Sequence, residues 1–136
     1  MRKTLLIAVG LLMTQLSGCW QSALYHEDLI GPYRLSAIDL SEQMSICYAA
    51  DDQDTCHERI SETVFSVGWN ERFIVAKQHP SNDKSVTNYF ILDMSKDKKN
   101  LNASVSVMGP FSESEYKKQS LSMVLPKFSR TMDDLK

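Results

Sequence analysis

The stretch that decides the fold is VFSVGWNERFIVAKQ, residues 64–78. Its two flanks, Val64–Trp69 and Arg72–Gln78, are rich in the β-branched and aromatic residues that favour strands. Asn70 and Glu71 lie between them, and Asn tolerates the positive φ that a two-residue hairpin turn requires. The sequence therefore predicts an antiparallel β-hairpin at this point.

Further strand-like segments lie on both sides of the hairpin. Tyr33–Asp39 and Met44–Ala49 alternate apolar and polar residues, as half-buried strands do. Thr87–Met94 is apolar on both faces at its centre, which is typical of a strand that is covered on both sides. Ala103–Met108 is one more short strand. Because the connections are short, we expect antiparallel neighbours.

One helix is predicted, near the C-terminus. Ser112 and Glu115 have the spacing of a capping box, which satisfies two backbone donors at a helix start. Tyr116 and Leu121 are expected to form the packing face of this helix. The sequence thus predicts an α+β fold, an antiparallel β-meander of about five or six strands with one C-terminal helix. The alternative is a small open β-barrel or sandwich.

The N-terminus has the composition of a secretion signal. Arg2 and Lys3 precede the apolar run Leu5–Met13, and small residues follow at Ser17 and Gly18. The run is shorter than the ~20 apolar residues that a membrane-spanning helix needs. We therefore expect this segment to direct export rather than to remain in a membrane.

The tetrapeptide Leu16-Ser17-Gly18-Cys19 resembles the lipobox of bacterial lipoproteins. The resemblance implies that a diacylglyceryl group is attached to the thiol of Cys19 and that the chain is cut before this residue. Trp20 stands where an Asp would favour retention at the inner membrane, which implies the outer membrane, facing the periplasm, in a Gram-negative host. Several acyl chains hold a protein stably at a bilayer, whereas a single chain is marginal.

These features divide the chain into segments. They are a signal peptide (residues 1–18), a lipidated tether (19–31), a single β-rich domain (32–128) and a flexible tail (129–136). Two basic residues leave with the signal peptide, so 13 Lys and Arg (15 − 2) stand against 17 Asp and Glu, a net charge of −4. Lys96, Lys98 and Lys99 form a basic cluster that Asp97 interrupts, typical of a solvated loop. Because nucleic-acid-binding proteins carry basic patches, we expect no nucleic-acid partner.

Two cysteines remain once Cys19 is assigned to the lipid. Cys47 and Cys56 form an even pair in an exported chain, which indicates a disulfide. Two free thiols or a metal site are the alternatives, but a metal needs more ligands, and only His57 lies near in sequence. We expect the disulfide, and we expect no metal and no cofactor.

The residues considered for partner binding lie in two loops. Asp51, Asp52 and Asp54 crowd the loop that the disulfide would close, without the spacing of an EF-hand. His79 opens the loop after the hairpin, where binding residues commonly lie. These four residues are the candidate contacts with a partner.

The mature chain also resembles small bacterial lipoproteins of unknown function. The likeness covers roughly residues 30–125. It is carried by Phe65–Trp69, Phe73–Pro80, Tyr89–Asp93 and Gly109–Ser112. That group of lipoproteins implies no activity and therefore no catalytic residue.

No catalytic arrangement stands out in the sequence. Ser-x-x-Lys spacing occurs at Ser95–Lys98 and Ser114–Lys117, but in a polar loop and on a surface helix rather than in a cleft where a lysine loses its charge. We therefore expect a lipid-anchored envelope protein that is not an enzyme and whose small domain binds another envelope protein. The alternative is a periplasmic inhibitor or immunity lipoprotein whose acidic loop acts on a basic enzyme or toxin.

Overall fold

The computed structural model describes residues 25–49 and 55–136, which form two antiparallel sheets. The first sheet contains, side by side in chain order, β1 (Tyr25–Ile30), β2 (Tyr33–Ala37), β3 (Ser45–Ala49) and β4 (Cys56–Ile60). The second contains β5 (Val64–Trp69), β6 (Phe73–Gln78), β7 (Asn88–Asp93), β8 (Val107–Phe111) and β9 (Arg130–Thr131), in the order β8-β7-β6-β5-β9. The helix α1 (Glu113–Ser120) follows β8.

The main core lies between the two sheets. Tyr33, Leu35 and Ala37 of β2 share one buried cluster with Ile74 and Ala76 of β6. Alternate residues of each strand thus meet across the space between the sheets, as in sheet-on-sheet packing. The predicted α+β class is confirmed. The strands number nine among the described residues, more than expected, and they divide into two facing sheets.

A second cluster covers the outer face of the second sheet. Phe73, Val75, Tyr89 and Ile91 of β6 and β7 pack there with Tyr116 of α1. β7 is therefore apolar on both faces because one face meets the first sheet and the other meets the helix. This confirms the prediction of a strand covered on both sides.

The predicted capping box is present at the start of α1. The Ser112 hydroxyl accepts a hydrogen bond from the Glu115 amide, and the Glu115 carboxylate accepts one from the Ser112 amide at 2.7 Å. Tyr116 is buried as predicted, but Leu121 is 88 % exposed. The expectation for Leu121 is wrong because this residue follows the last turn of the helix, as its C-cap.

The hairpin of β5 and β6 is present with the predicted strands, but its turn works differently. Asn70 is not among the described residues with positive φ. Instead, its side-chain oxygen accepts hydrogen bonds from the amides of Arg72 (2.9 Å) and Phe73 (2.7 Å). Its own amide donates to the Phe73 carbonyl, which places Glu71 and Arg72 at the centre of the turn. Asn70 therefore stabilises the turn through its side chain.

The structure sets the ends of the domain differently from the sequence prediction. Within the expected tether, residues 25–30 form β1 and pair with β2. Within the expected tail, β9 pairs with β5, and Met132 and Leu135 are buried in the main core. Both ends are held because their strands satisfy edge backbone groups of a sheet and their apolar side chains leave water.

Two other segments differ from the prediction. Ala103–Val105 is a turn of 3-10 helix rather than strand, and the Asn102 side chain caps it by accepting from the Ser104 amide. The strand begins only at Val107, as β8. β4 was not predicted, because its residues are mostly polar.

A buried ion pair joins the first sheet to the connection between β7 and β8. Arg59 Nε of β4 donates to Asp97 Oδ2 at 2.7 Å, and the two side chains are 3 % and 0 % exposed. The Tyr33 hydroxyl donates to the same oxygen at 2.9 Å, and burial together with this bond raises the pKa of Tyr33. Arg59 also donates to the Lys98 carbonyl at 3.0 Å. Asp97 is therefore a buried partner and not part of a solvated loop.

Candidate functional site

Several of the residues named from the sequence lie outside the described part of the chain. They are Cys19 of the lipobox and Asp51, Asp52 and Asp54 of the acidic loop. Lipidation and a role for the acidic loop therefore stay predictions. No helix within residues 25–49 and 55–136 is long and apolar enough to pass through a bilayer.

The two cysteines expected to pair do so. Cys47 of β3 and Cys56 of β4 form a disulfide across neighbouring strands, with their Cα atoms 5.1 Å apart. Next to it, Ala49 and Cys56 are partners in the strand pairing. The bond therefore joins β3 to β4 beside the loop that carries the three aspartates.

His79 is buried, so its side chain offers little surface to a partner in this conformation, and its role in partner binding stays a prediction. It is 4 % exposed, and its ring stacks on Phe65 with 4.1 Å between the ring centres. Its Nδ1 donates to the Val86 carbonyl at 2.8 Å, and its backbone exchanges two hydrogen bonds with Thr63. The ring thus fixes the loop after β6 from the inside. The sequence could not reveal this, because Phe65 and His79 meet only through the register of β5 and β6.

A cleft of about 630 Å³ opens beside the turn between β5 and β6. Four segments that are distant in sequence meet there: the turn itself, the chain after β7, β8, and the chain after α1. The lining residues are Asn70, Glu71, Arg72, Phe73, Asp93, Lys96, Met108, Ser122, Met123 and Val124.

Asp93 carries the buried negative charge of this cleft. It is buried, and it accepts two hydrogen bonds from the Arg72 guanidinium, at 2.9 and 3.3 Å, and two from Ser95. The bonds from Arg72, followed by those from Ser95, hold the pKa of Asp93 below its usual range. Lys96 Nζ lies 4.0 Å from the same carboxylate. Arg72 and Lys96 are themselves exposed, so two cations stand at the rim over one buried carboxylate.

The opposite wall of the cleft is apolar and open to solvent. Met108 and Met123 are half-buried members of the outer cluster. Val124 is 86 % exposed, and so is nearby Leu121 at 88 %. Asn70 Nδ2 donates to the Val124 carbonyl at 3.0 Å and so holds this segment against the hairpin turn. The cleft therefore offers apolar contact surface next to charges of both signs, with the cations of Arg72 and Lys96 and the carboxylates of Glu71 and Asp93.

The described residues contain no arrangement that suggests a reaction. No group of three or more His, Cys, Asp and Glu in residues 25–49 and 55–136 is placed to hold a metal ion. In one Ser-x-x-Lys match, Lys117 pairs with Glu113 at 2.7 Å, and this hydrogen bond raises the pKa of Lys117. In the other, the Ser95 hydroxyl donates to Asp93 rather than to a lysine. Neither lysine is therefore set up as a base for its serine.

Sequence reasoning missed the cleft. The signal that pointed towards it was the mainly apolar segment Leu121–Leu125 directly after the helix. Most of its neighbours in the cleft lie tens of residues earlier in the chain, so only the fold brings them together.

Comparison with known proteins gives one finding. A family model described as "Protein of unknown function (DUF3997)" matches residues 31–128. This match runs from the turn after β1 to just before β9 and so includes the whole cleft. No curated protein matches the chain, and no solved structure matches it.

Proposed function

Because the chain belongs to the DUF3997 family, whose description assigns no activity, we propose a function from its own residues: it is a lipid-anchored envelope protein that binds another protein through the cleft. The anchor is the acylated thiol of Cys19, and the location is the outer membrane, facing the periplasm, in a Gram-negative host. The support for the anchor is the sequence of the leader, Leu16–Cys19.

The observation that carries the binding proposal is the exposed apolar surface at the cleft. Val124 lines the cleft, Leu121 lies three residues earlier in the chain, and both present nearly their whole side chains to water. Burying each of them against a partner contributes about 1.5–3 kcal/mol. Single exposed apolar residues are common, but apolar residues grouped beside a cleft mark interaction sites.

The lining of the cleft indicates what the partner segment contains. Arg72 and Lys96 lie beside the apolar wall, but Glu71 and Asp93 line the same cleft and balance their charge, so the apolar wall determines the fit. Met108 and Met123 line the same cleft, and their unbranched side chains adjust to differing partner shapes. The best fit is therefore a mainly apolar segment of another envelope protein.

Photo-crosslinking in the envelope tests this directly. A benzophenone amino acid at position 124 should give a protein adduct of defined mass, and the further change Leu121→Asp should remove it. The matched control is the same probe at Val86, which is also exposed but lies in the loop at the opposite end of β6. Absence of an adduct at 124, or the same adduct from both positions, would contradict the proposal.

A separate experiment tests the anchor. The change Cys19→Ser should abolish incorporation of labelled palmitate and move the protein from the membrane fraction to the soluble fraction. Palmitate labelling that persists in this variant would refute the assignment of Cys19.

The alternative function, an inhibitor or immunity lipoprotein that acts through Asp51, Asp52 and Asp54, stays a prediction. No contact of the described residues favours it over binding at the cleft.

A further inference from the structure

The outer face of the first sheet carries a buried arginine to which the described residues supply no counter-charge. Tyr33 and Leu35, on either side of Arg34 in β2, enter the main core, so Arg34 lies on the opposite face of the strand. Arg34 is nevertheless only 4 % exposed. A buried guanidinium is costly unless an anion or several acceptors compensate its charge.

The described contacts of Arg34 do not supply that compensation. Its Nη1 lies 3.3 Å from His26 Nε2, and its Nε is buried with no hydrogen-bond partner. Asp28 is the cross-strand neighbour of Arg34, but its exposed carboxylate lies 3.3 Å from His26 instead. Within the described part of the chain, no carboxylate forms an ion pair with this guanidinium.

Arg34 lines a pocket of about 330 Å³. The wall is formed by the second half of β1, the turn at Gly31 and Pro32, and Ala49 at the end of β3. This turn is held in place because the Ala49 amide donates to the Pro32 carbonyl at 2.6 Å. The pocket is therefore a defined space, large enough for a small group, next to an unpaired donor.

From this combination we propose that the pocket binds a phosphate-type oxyanion, either free phosphate or the phosphate of a lipid headgroup. Guanidinium donors form a planar fork that matches two oxygens of such an anion. His26 lies beside Arg34 as a second nitrogen group at the pocket, and Asp28 at its mouth opposes the anion.

A lipid headgroup is within reach if the protein is anchored. His26 lies seven positions after Cys19 in the chain, and a fully extended segment of that length spans at most about 25 Å. This reach rests on the proposed anchor, whereas the pocket and its unpaired arginine do not.

The first test measures binding of free phosphate. Full-length protein with Cys19→Ser is titrated with sodium phosphate at constant ionic strength, and Tm and Kd are recorded. We expect Tm to rise with phosphate concentration, and Arg34→Met to weaken binding by about a hundredfold, since two charge-assisted hydrogen bonds are each equivalent to about a factor of ten. Arg34→Lys keeps the charge without the fork and should also bind more weakly.

Two further variants sharpen this test. Arg130→Met removes the same charge from a half-exposed arginine that is already paired with Glu27, so its response to phosphate should match the parent protein. Asp28→Asn removes the negative charge at the mouth and should tighten binding.

The second test distinguishes the two sources of the anion. The same Cys19→Ser protein is mixed with vesicles of phosphatidylglycerol and floated on a density gradient. If Arg34→Met loses flotation and the parent protein shows no response to free phosphate, the pocket binds a headgroup. If the parent protein responds to free phosphate in an Arg34-dependent manner but does not float with the vesicles, the pocket binds the free ion. If neither probe binds in an Arg34-dependent manner, the proposal is refuted, and this outcome is independent of whether the cleft or the anchor proves correct.

Discussion

Replacing Asp97 by Asn should be among the most destabilising single changes in this protein. The Asp97 side chain is completely buried and accepts from both Arg59 and Tyr33. The amide keeps the shape of the carboxylate but leaves the guanidinium of Arg59, 3 % exposed, without its counter-charge. Breaking one partner of a buried pair costs about 3–5 kcal/mol. That is a large part of the 5–15 kcal/mol by which domains are typically stable.

Urea denaturation, followed by the fluorescence of the half-buried Trp69, measures this loss. The midpoint should fall with little change in the denaturant slope, because the same surface is exposed on unfolding. The matched control is Glu113→Gln, which breaks an ion pair of the same 2.7 Å length on the exposed face of α1 and should leave the midpoint unchanged.

A double variant separates the charge from the packing. Arg59→Met combined with Asp97→Leu removes both charges and should recover part of the stability that Asp97→Asn loses. A loss below about 1 kcal/mol in Asp97→Asn, the level of an exposed pair, would refute the reasoning that a desolvated ion pair joins the first sheet to the connection between β7 and β8.

Three other predictions concern the cleft and the turns. Arg72 lowers the pKa of Asp93, so the stability that Asp93 contributes is complete above the ordinary carboxyl pKa and is lost as the pH falls through the lowered value. Asp93→Asn should therefore flatten the acid limb of a curve of stability against pH. An unchanged acid limb would count against the ion pair. Reducing the bond between Cys47 and Cys56 should lower the free energy of unfolding by about 2–3 kcal/mol in urea denaturation, and equal midpoints with and without reductant would contradict this. Asn70→Ala should destabilise the hairpin by about 1–2 kcal/mol, because two backbone amides lose their acceptor, and thermal melts that coincide with the parent would disprove that role.

The parts of the fold that the sequence predicted are those determined by near neighbours. The hairpin of β5 and β6 follows from two strand-forming runs around a short turn, and the capping box follows from two residues three positions apart. In both cases the decisive contacts lie within a few residues, so the local pattern contains the information.

The parts that were missed depend on distant contacts. The segment of β4 looks too polar for a strand because Arg59 is charged. The burial of Arg59 is explained only by its ion pair with Asp97, 38 residues later. The sequence around His79 is typical of an exposed loop, and its burial becomes apparent only from the stacking of its ring on Phe65. The cleft has only one local signal, the apolar segment after the helix, because Arg72, Asp93 and Val124 are brought together by the fold rather than by sequence spacing.

The position of β9 has a consequence for how the chain is made and moved. Met132 and Leu135 complete the main core, and the Met132 amide donates to the Phe65 carbonyl at 2.8 Å. Because β9 follows β1–β8 in the chain, a ribosome or a secretion channel releases it after them, so the two layers cannot lock together until β9 has emerged. The domain would therefore stay pliable during the passage of β1–β8 and acquire its final rigidity only once β9 pairs with β5.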